Sequence, residues 1–139
     1  MNFIPKKSKH KKQFKGKINN QIYKNINSNS LFVGGLGLKA VEYGILNSKH
    51  FESIKQSIKK IIKKSGRVVF FNFPQIPKTK KPLAMRMGKG KGNVDHWICK
   101  IQPGMIICEI NTANISLGIK ALMTSQFRLP LKTKLTFEK

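Results

Sequence analysis

The chain has 139 residues and a formal net charge of +23, from 28 lysines and arginines against five acids (Glu42, Glu52, Asp95, Glu109 and Glu138). At 40% apolar content it can bury one modest core, so one domain is expected, yet like charge on this scale opposes compaction unless a polyanion offsets it. No apolar run approaches the roughly 20 residues of a membrane-spanning helix. Cys99 and Cys108 make neither a disulfide framework nor a zinc-ligand pattern, and both are expected as buried reduced thiols.

Residues 1–30 read as a basic N-terminal arm with a polar connector. Lys6, Lys7, Lys9, Lys11, Lys12, Lys15 and Lys17 crowd around Ser8, His10, Gln13, Phe14 and Gly16 with neither helical nor strand periodicity. Such charge density forbids a packed core, so the arm should be disordered alone and ordered on a partner. Ile18 to Ser30, rich in Asn, Gln and Ser, joins it to a single domain over residues 31–139.

Gly34, Gly35 and Gly37 lead into a short strand ending near Val41, and Asn47 or Ser48 supplies a helix cap. Phe51, Ile54, Ile58, Ile61 and Ile62 then recur at helical steps, with lysines mostly on the other face, and the helix ends near Gly66. Arg67 to Phe73 is β-rich, and its three phenylalanines must divide between two faces. Pro74 and Pro77 stop it and bracket a basic turn from Lys78 to Lys81. Pro82 to Met87 is expected as a strand into a glycine loop and Trp97 to Gln102 as the strand out, a long hairpin with a basic tip. After a turn at Pro103-Gly104, Met105 to Ile110 forms another strand. Leu117, Ala121, Leu122 and Ser125 share a face of a weaker helix, against which Gly118 counts. Leu131 to Phe137 alternates as the last strand. These elements describe an α+β domain, a mostly antiparallel sheet with two helices packed on one face.

The chemistry concentrates in one loop, introduced by Lys81 and running Arg86, Met87, Gly88, Lys89, Gly90, Lys91, Gly92, Asn93. Glycine at every second position from Gly88 permits positive φ and close approach of backbone to another surface, and the cations between have no carboxylate in the loop to neutralise them. The expected partner is nucleic acid. Lys89 and Lys91 suit phosphates, whereas the planar guanidinium of Arg86 suits a bidentate or stacked contact. A nucleotide-hydrolysing loop is excluded, because Gly92 is followed by Asn93 where Ser or Thr is required.

The three histidines (His10, His50, His96) gather on no common metal, and Asp95 and His96, as strand neighbours, are expected to point to opposite faces. No catalysis is expected. Trp97, the lone tryptophan, is expected as a core anchor, with stacking on a base as the alternative. The rival from another class is a cationic amphipathic protein binding a membrane surface through the helix at Phe51 to Lys64. The β-rich segments around that helix favour a core helix with a basic outer face.

The residues resemble the bacterial and organellar L-sixteen family of large-subunit ribosomal proteins. The resemblance is carried by the basic opening from Pro5 to Lys17, Gly37-Leu38-Lys39-Ala40, Lys81-Pro82, Arg86 to Asn93, Trp97, Gln102-Pro103-Gly104 and Leu129 to Thr133. It implies a non-enzymatic constituent of the large subunit that binds large-subunit ribosomal RNA near the peptidyl transferase centre and the aminoacyl-tRNA site, supporting assembly and tRNA accommodation. The implied partners are that RNA, aminoacyl-site tRNA and neighbouring ribosomal proteins, with no cofactor, no membrane insertion and no homo-oligomer. In that family the arm and the loop corresponding to Arg86 to Asn93 reach into RNA close to the tRNA path. There are departures: Phe71 stands where the family usually has a basic residue, Gln75 replaces an acid, and Thr112 to Ile115 lack the acidic opening of the second helix.

Abundant isoleucine, asparagine and lysine with only three arginines (Arg67, Arg86, Arg128) fit a gene rich in A and T. The family's arm begins within five residues of Met1, so no removable presequence is expected. A mitochondrially encoded protein of the mitochondrial ribosome is therefore expected, with a plastid or the bacterial cytoplasm as the alternative.

Overall fold

Leu36, Leu38 and Ala40 alternate along an extended strand, and their shared face is where the core is built. The computed structural model describes residues 3–16, 31–33 and 35–137. In chain order the elements are β1 (Leu36–Ala40), β2 (Gly44–Asn47), α1 (Ser48–Ile62), β3 (Gly66–Phe70), β4 (Ile76–Lys80), β5 (Asn93–Ile101), β6 (Ile106–Thr112), α2 (Ile115–Gln126) and β7 (Thr133–Phe137). The fold is α+β with antiparallel strand pairs, but the strands divide between two sheets: four strands in the order β3-β6-β1-β7, and three in the order β2-β5-β4.

The helix α1 forms as its periodicity dictates. Phe51, Ile54, Ile58 and Ile62 are buried on one side, and its lysines lie outside. Asn47 is the N-cap residue, and its N–H donates to the His50 ring nitrogen at 3.1 Å, one half of a capping box. Burial holds the His50 pKa below its usual 6.5, which keeps the ring neutral and able to accept. Helix α2 packs on β1, β6 and β7, α1 on β2, β3 and β5, and the two helices pack on each other. In α2 the buried residues are Gly118, Ala121, Leu122 and Ser125, while Leu117 is exposed, contrary to expectation. Gly118 is a packing device and not a weakness: a Cβ there would collide with the Leu36 side chain and come within 2.9 Å of Thr112 Cγ2.

Several expectations require correction. The segment Pro82 to Met87 is not a strand. It turns, with Met85 N–H donating to the Pro82 carbonyl, because Leu83 and Met87 alternate with no surface to cover them. The strand entering the loop is β4, which runs through Pro77 where a turn was expected. Proline is tolerated because β4 is an edge strand, paired on one side only. Strand β5 begins four residues earlier than expected. Strand β2 went unread because it is four residues long and opens on Gly44, whose missing side chain admits Leu131, a residue remote in sequence.

Phe3, from the segment assigned to the arm, is buried in the core against Phe51 and Phe70, with ring centroids 5.3 and 5.2 Å away. Of the contiguous phenylalanines, Phe70 faces that core and Phe71 is exposed, 6.1 Å from the Phe32 ring. The buried Glu109 carboxylate accepts from the N–H groups of Phe32 and Val33 at 2.8–3.1 Å, tying the approach to β1 onto β6.

Candidate nucleic-acid interface

The hairpin β4–β5 carries the loop of residues 81–92, and each glycine serves one of two ends. Gly88 and Gly90 have φ of 100° and 79° in open space, with Lys89 between them at 52°, so the tip coils through left-handed conformations. Gly92 lies where the loop closes: a Cβ there would stand 2.5 Å from the Lys80 carbonyl oxygen, leaving room only for glycine. Lys81, half-buried at the base, donates its ammonium to the Gly88 carbonyl and so braces the loop from within. The ammonium has two further donors, which leaves the ligand contact expected of Lys81 open.

The structure brings arm and loop together. Lys12 Nζ donates to the Lys91 carbonyl at 3.0 Å, Lys91 Nζ donates to the Gln13 carbonyl at 2.8 Å, and the Lys91 ammonium lies 5.0 Å from the centre of the Phe14 ring. These reciprocal bonds join segments nearly eighty residues apart into one cationic surface. Lys6, Lys7, Lys9, His10, Lys11 and Lys15 on the arm, with Arg86 and Lys89 on the loop, are exposed and make no hydrogen bond or ion pair to other described residues. Met87 is fully exposed beside Arg86, and Asn93 opens β5. Lys17 and the connector Ile18 to Ser30 lie outside the described residues.

The nearest carboxylate to the loop in sequence is hydrogen-bonded to its own neighbour. In the β4–β5 register Lys78 opposes His96 and Thr79 opposes Val94, so Asp95 is an extra, bulged residue. The bulge swings Asp95 Oδ2 to within 2.7 Å of His96 Nδ1, correcting the expectation that these neighbours face apart. The hydrogen bond from His96 holds the Asp95 pKa below the usual carboxylate range, assisted by the charges of Lys80 and Lys49.

Trp97 is not the core anchor expected of it. Its neighbour Ile98 takes the buried side of β5, and alternation leaves Trp97 half-buried beside the arm residues Lys6, Lys7, Lys11 and Lys12. The thiols are unremarkable in chemistry: burial pushes Cys99 up to about 11 and Cys108 to about 12, and only Cys108 is fully buried. Among the described residues no three of His, Cys, Asp and Glu are grouped to hold a metal, and no helix is long and apolar enough to cross a membrane.

Comparison with known protein families matches residues 5–136 to the family described as Ribosomal protein L16p/L10e. The chain belongs to this family. It is thus a structural, non-enzymatic protein of the large ribosomal subunit that binds ribosomal RNA. The matched span of this L16-family protein takes in both arm and loop, the two segments that Lys12 and Lys91 hold together.

Proposed function

We propose that the joined arm and loop form the surface by which this protein meets large-subunit RNA near the peptidyl transferase centre and the aminoacyl-tRNA site, supporting subunit assembly and tRNA accommodation. The observation that carries this reading is the reciprocal Lys12–Lys91 and Lys91–Gln13 contact, which holds the exposed cations of the arm beside those of the loop. Cations contact phosphates and fix position, while the glycine backbone at the tip lets N–H groups approach RNA closely. The residues assigned to RNA and aminoacyl-site tRNA are the exposed arm cations, Lys17, Lys81 and the stretch Arg86 to Asn93, with neighbouring ribosomal proteins as further contacts. The composition, rich in lysine, isoleucine and asparagine, supports a mitochondrial ribosome as the location.

The membrane-surface alternative loses its basis in α1, whose Phe51, Ile54, Ile58 and Ile62 are buried and present no free apolar face to lipid. Sedimentation of the tagged full chain at moderate and high salt tests the proposal. Co-migration with the large subunit that persists in high salt is expected, because loose phosphate binding weakens steeply with salt. Recovery only in light or membrane fractions would defeat it. Lys91→Ala should free the arm, raising amide exchange over residues 6–16, while Lys91→Arg, which retains the donor, should not.

A further inference from the structure

Between the arm and β5 lies an open cleft of about 680 Å³, within the range of about 300–1,000 Å³ typical of small-ligand sites. Trp97 forms one wall, Lys6, Lys7, Lys11 and Lys12 line it from the arm, and Asn93 adds an amide that can both donate and accept. No carboxylate lines this cleft. Trp97 is half-buried, lies outside the core cluster and makes no hydrogen bond to another described residue, so its indole N–H is not committed to the fold and its uncovered part lines the cleft.

An aromatic plate beside four cations suits two parts of one ligand at once: a base that stacks and a phosphate that needs charge. A base inside an RNA duplex is already stacked on both sides and cannot use the plate, so the ligand must be unpaired. We propose that this cleft receives one unpaired nucleotide of the large-subunit RNA, its base on Trp97 and its phosphates among Lys6, Lys7, Lys11 and Lys12. The proposal rests on the RNA-facing surface described above and adds to it a residue of β5 outside both arm and loop. It also gives the arm a specific task, since without the arm the cleft has only one side.

Trp97 is the lone tryptophan, so the intrinsic fluorescence of the unaltered full chain reports on this cleft. The chain is titrated with a single-stranded RNA of about eight nucleotides, within the usual span of single-strand sites, with polyphosphate of matched charge, and with AMP. Binding of each is followed separately by calorimetry. The RNA should quench Trp97 in step with binding, polyphosphate should bind without quenching, and AMP should bind far more weakly than RNA. Trp97→Leu should lower RNA affinity about tenfold or more while leaving polyphosphate affinity unchanged. Trp97→Phe should recover most of that loss, and Lys11→Gln, at an exposed position harmless to folding, should weaken both polyanions.

RNA that binds without altering Trp97 emission, or equal quenching by polyphosphate, would overturn the cleft assignment and leave the arm–loop surface standing. Tighter binding of AMP than of RNA would overturn it in favour of a free mononucleotide. Failure of the RNA to bind at all would remove both readings together.

Discussion

Helix α1 and the glycine loop each carry four cations, Lys49, Lys55, Lys59 and Lys60 on the one and Lys81, Arg86, Lys89 and Lys91 on the other, yet they use charge in opposite ways. On α1 the lysines fringe an apolar stripe that is fully buried, and their stems help to cover it: the Lys55 ammonium lies 5.8 Å from the centre of the Phe3 ring. On the loop no core lies beneath. Leu83 and Met87 are fully exposed, and two of the four cations are hydrogen-bonded to backbone carbonyls, Lys81 within the loop and Lys91 to the arm. A similar number of charges therefore marks a scaffold in one place and a binding surface in the other. The backbone around them, more than the charge itself, makes the difference.

The strongest way to break this comparison is to remove the stripe. Phe51→Ala should cost about 3–5 kcal/mol of stability by denaturant titration, with RNA binding lost only as the fold is lost. Gly92→Val acts on the other side, forcing the loop base away from the Lys80 carbonyl. Strain on the order of 1–3 kcal/mol should lower the denaturation midpoint less than Phe51→Ala does, while RNA affinity in a filter assay is weakened even where the chain remains folded. Within the loop, Arg86→Ala should impair subunit function more than Lys89→Ala, since a planar bidentate contact is harder to replace than a point charge. Equal growth and equal polysome profiles for the two variants would contradict this.

The smallest effect concerns pH. The folded state holds His50 below its ordinary pKa of 6.5, so acid favours the unfolded chain, which binds the proton more readily. Stability attributable to His50 is present above that value and is lost as pH falls through 6.5 towards the lowered one. His50→Gln, whose side-chain oxygen can accept the same Asn47 N–H, should flatten the difference between denaturation midpoints at about pH 7.5 and about pH 5.

The helix α1 was legible because its burial stripe is written in consecutive turns and its cap lies beside it. The types of residue in the loop were legible too, since glycine and lysine alternate without acids. The union of arm and loop was not, because Lys91 is held by the carbonyl of Gln13 and Lys12 by that of Lys91, and backbone acceptors leave no trace in sequence. Phe3 was hidden in the same way: it belongs by sequence to a lysine-rich stretch and by packing to a core assembled from residues around fifty and seventy. Asp95 and His96 misled because a bulge suspends the alternation on which the inference depended.

Strand β4 is an edge of the three-stranded sheet, and it carries Pro77 followed by Lys78 and Lys80. An incoming strand from another copy would find a missing N–H partway along and a pair of lysines beside it. A chain that must wait for RNA to balance its charge is thereby guarded on this flank against the edge-to-edge aggregation to which unpaired strands are prone.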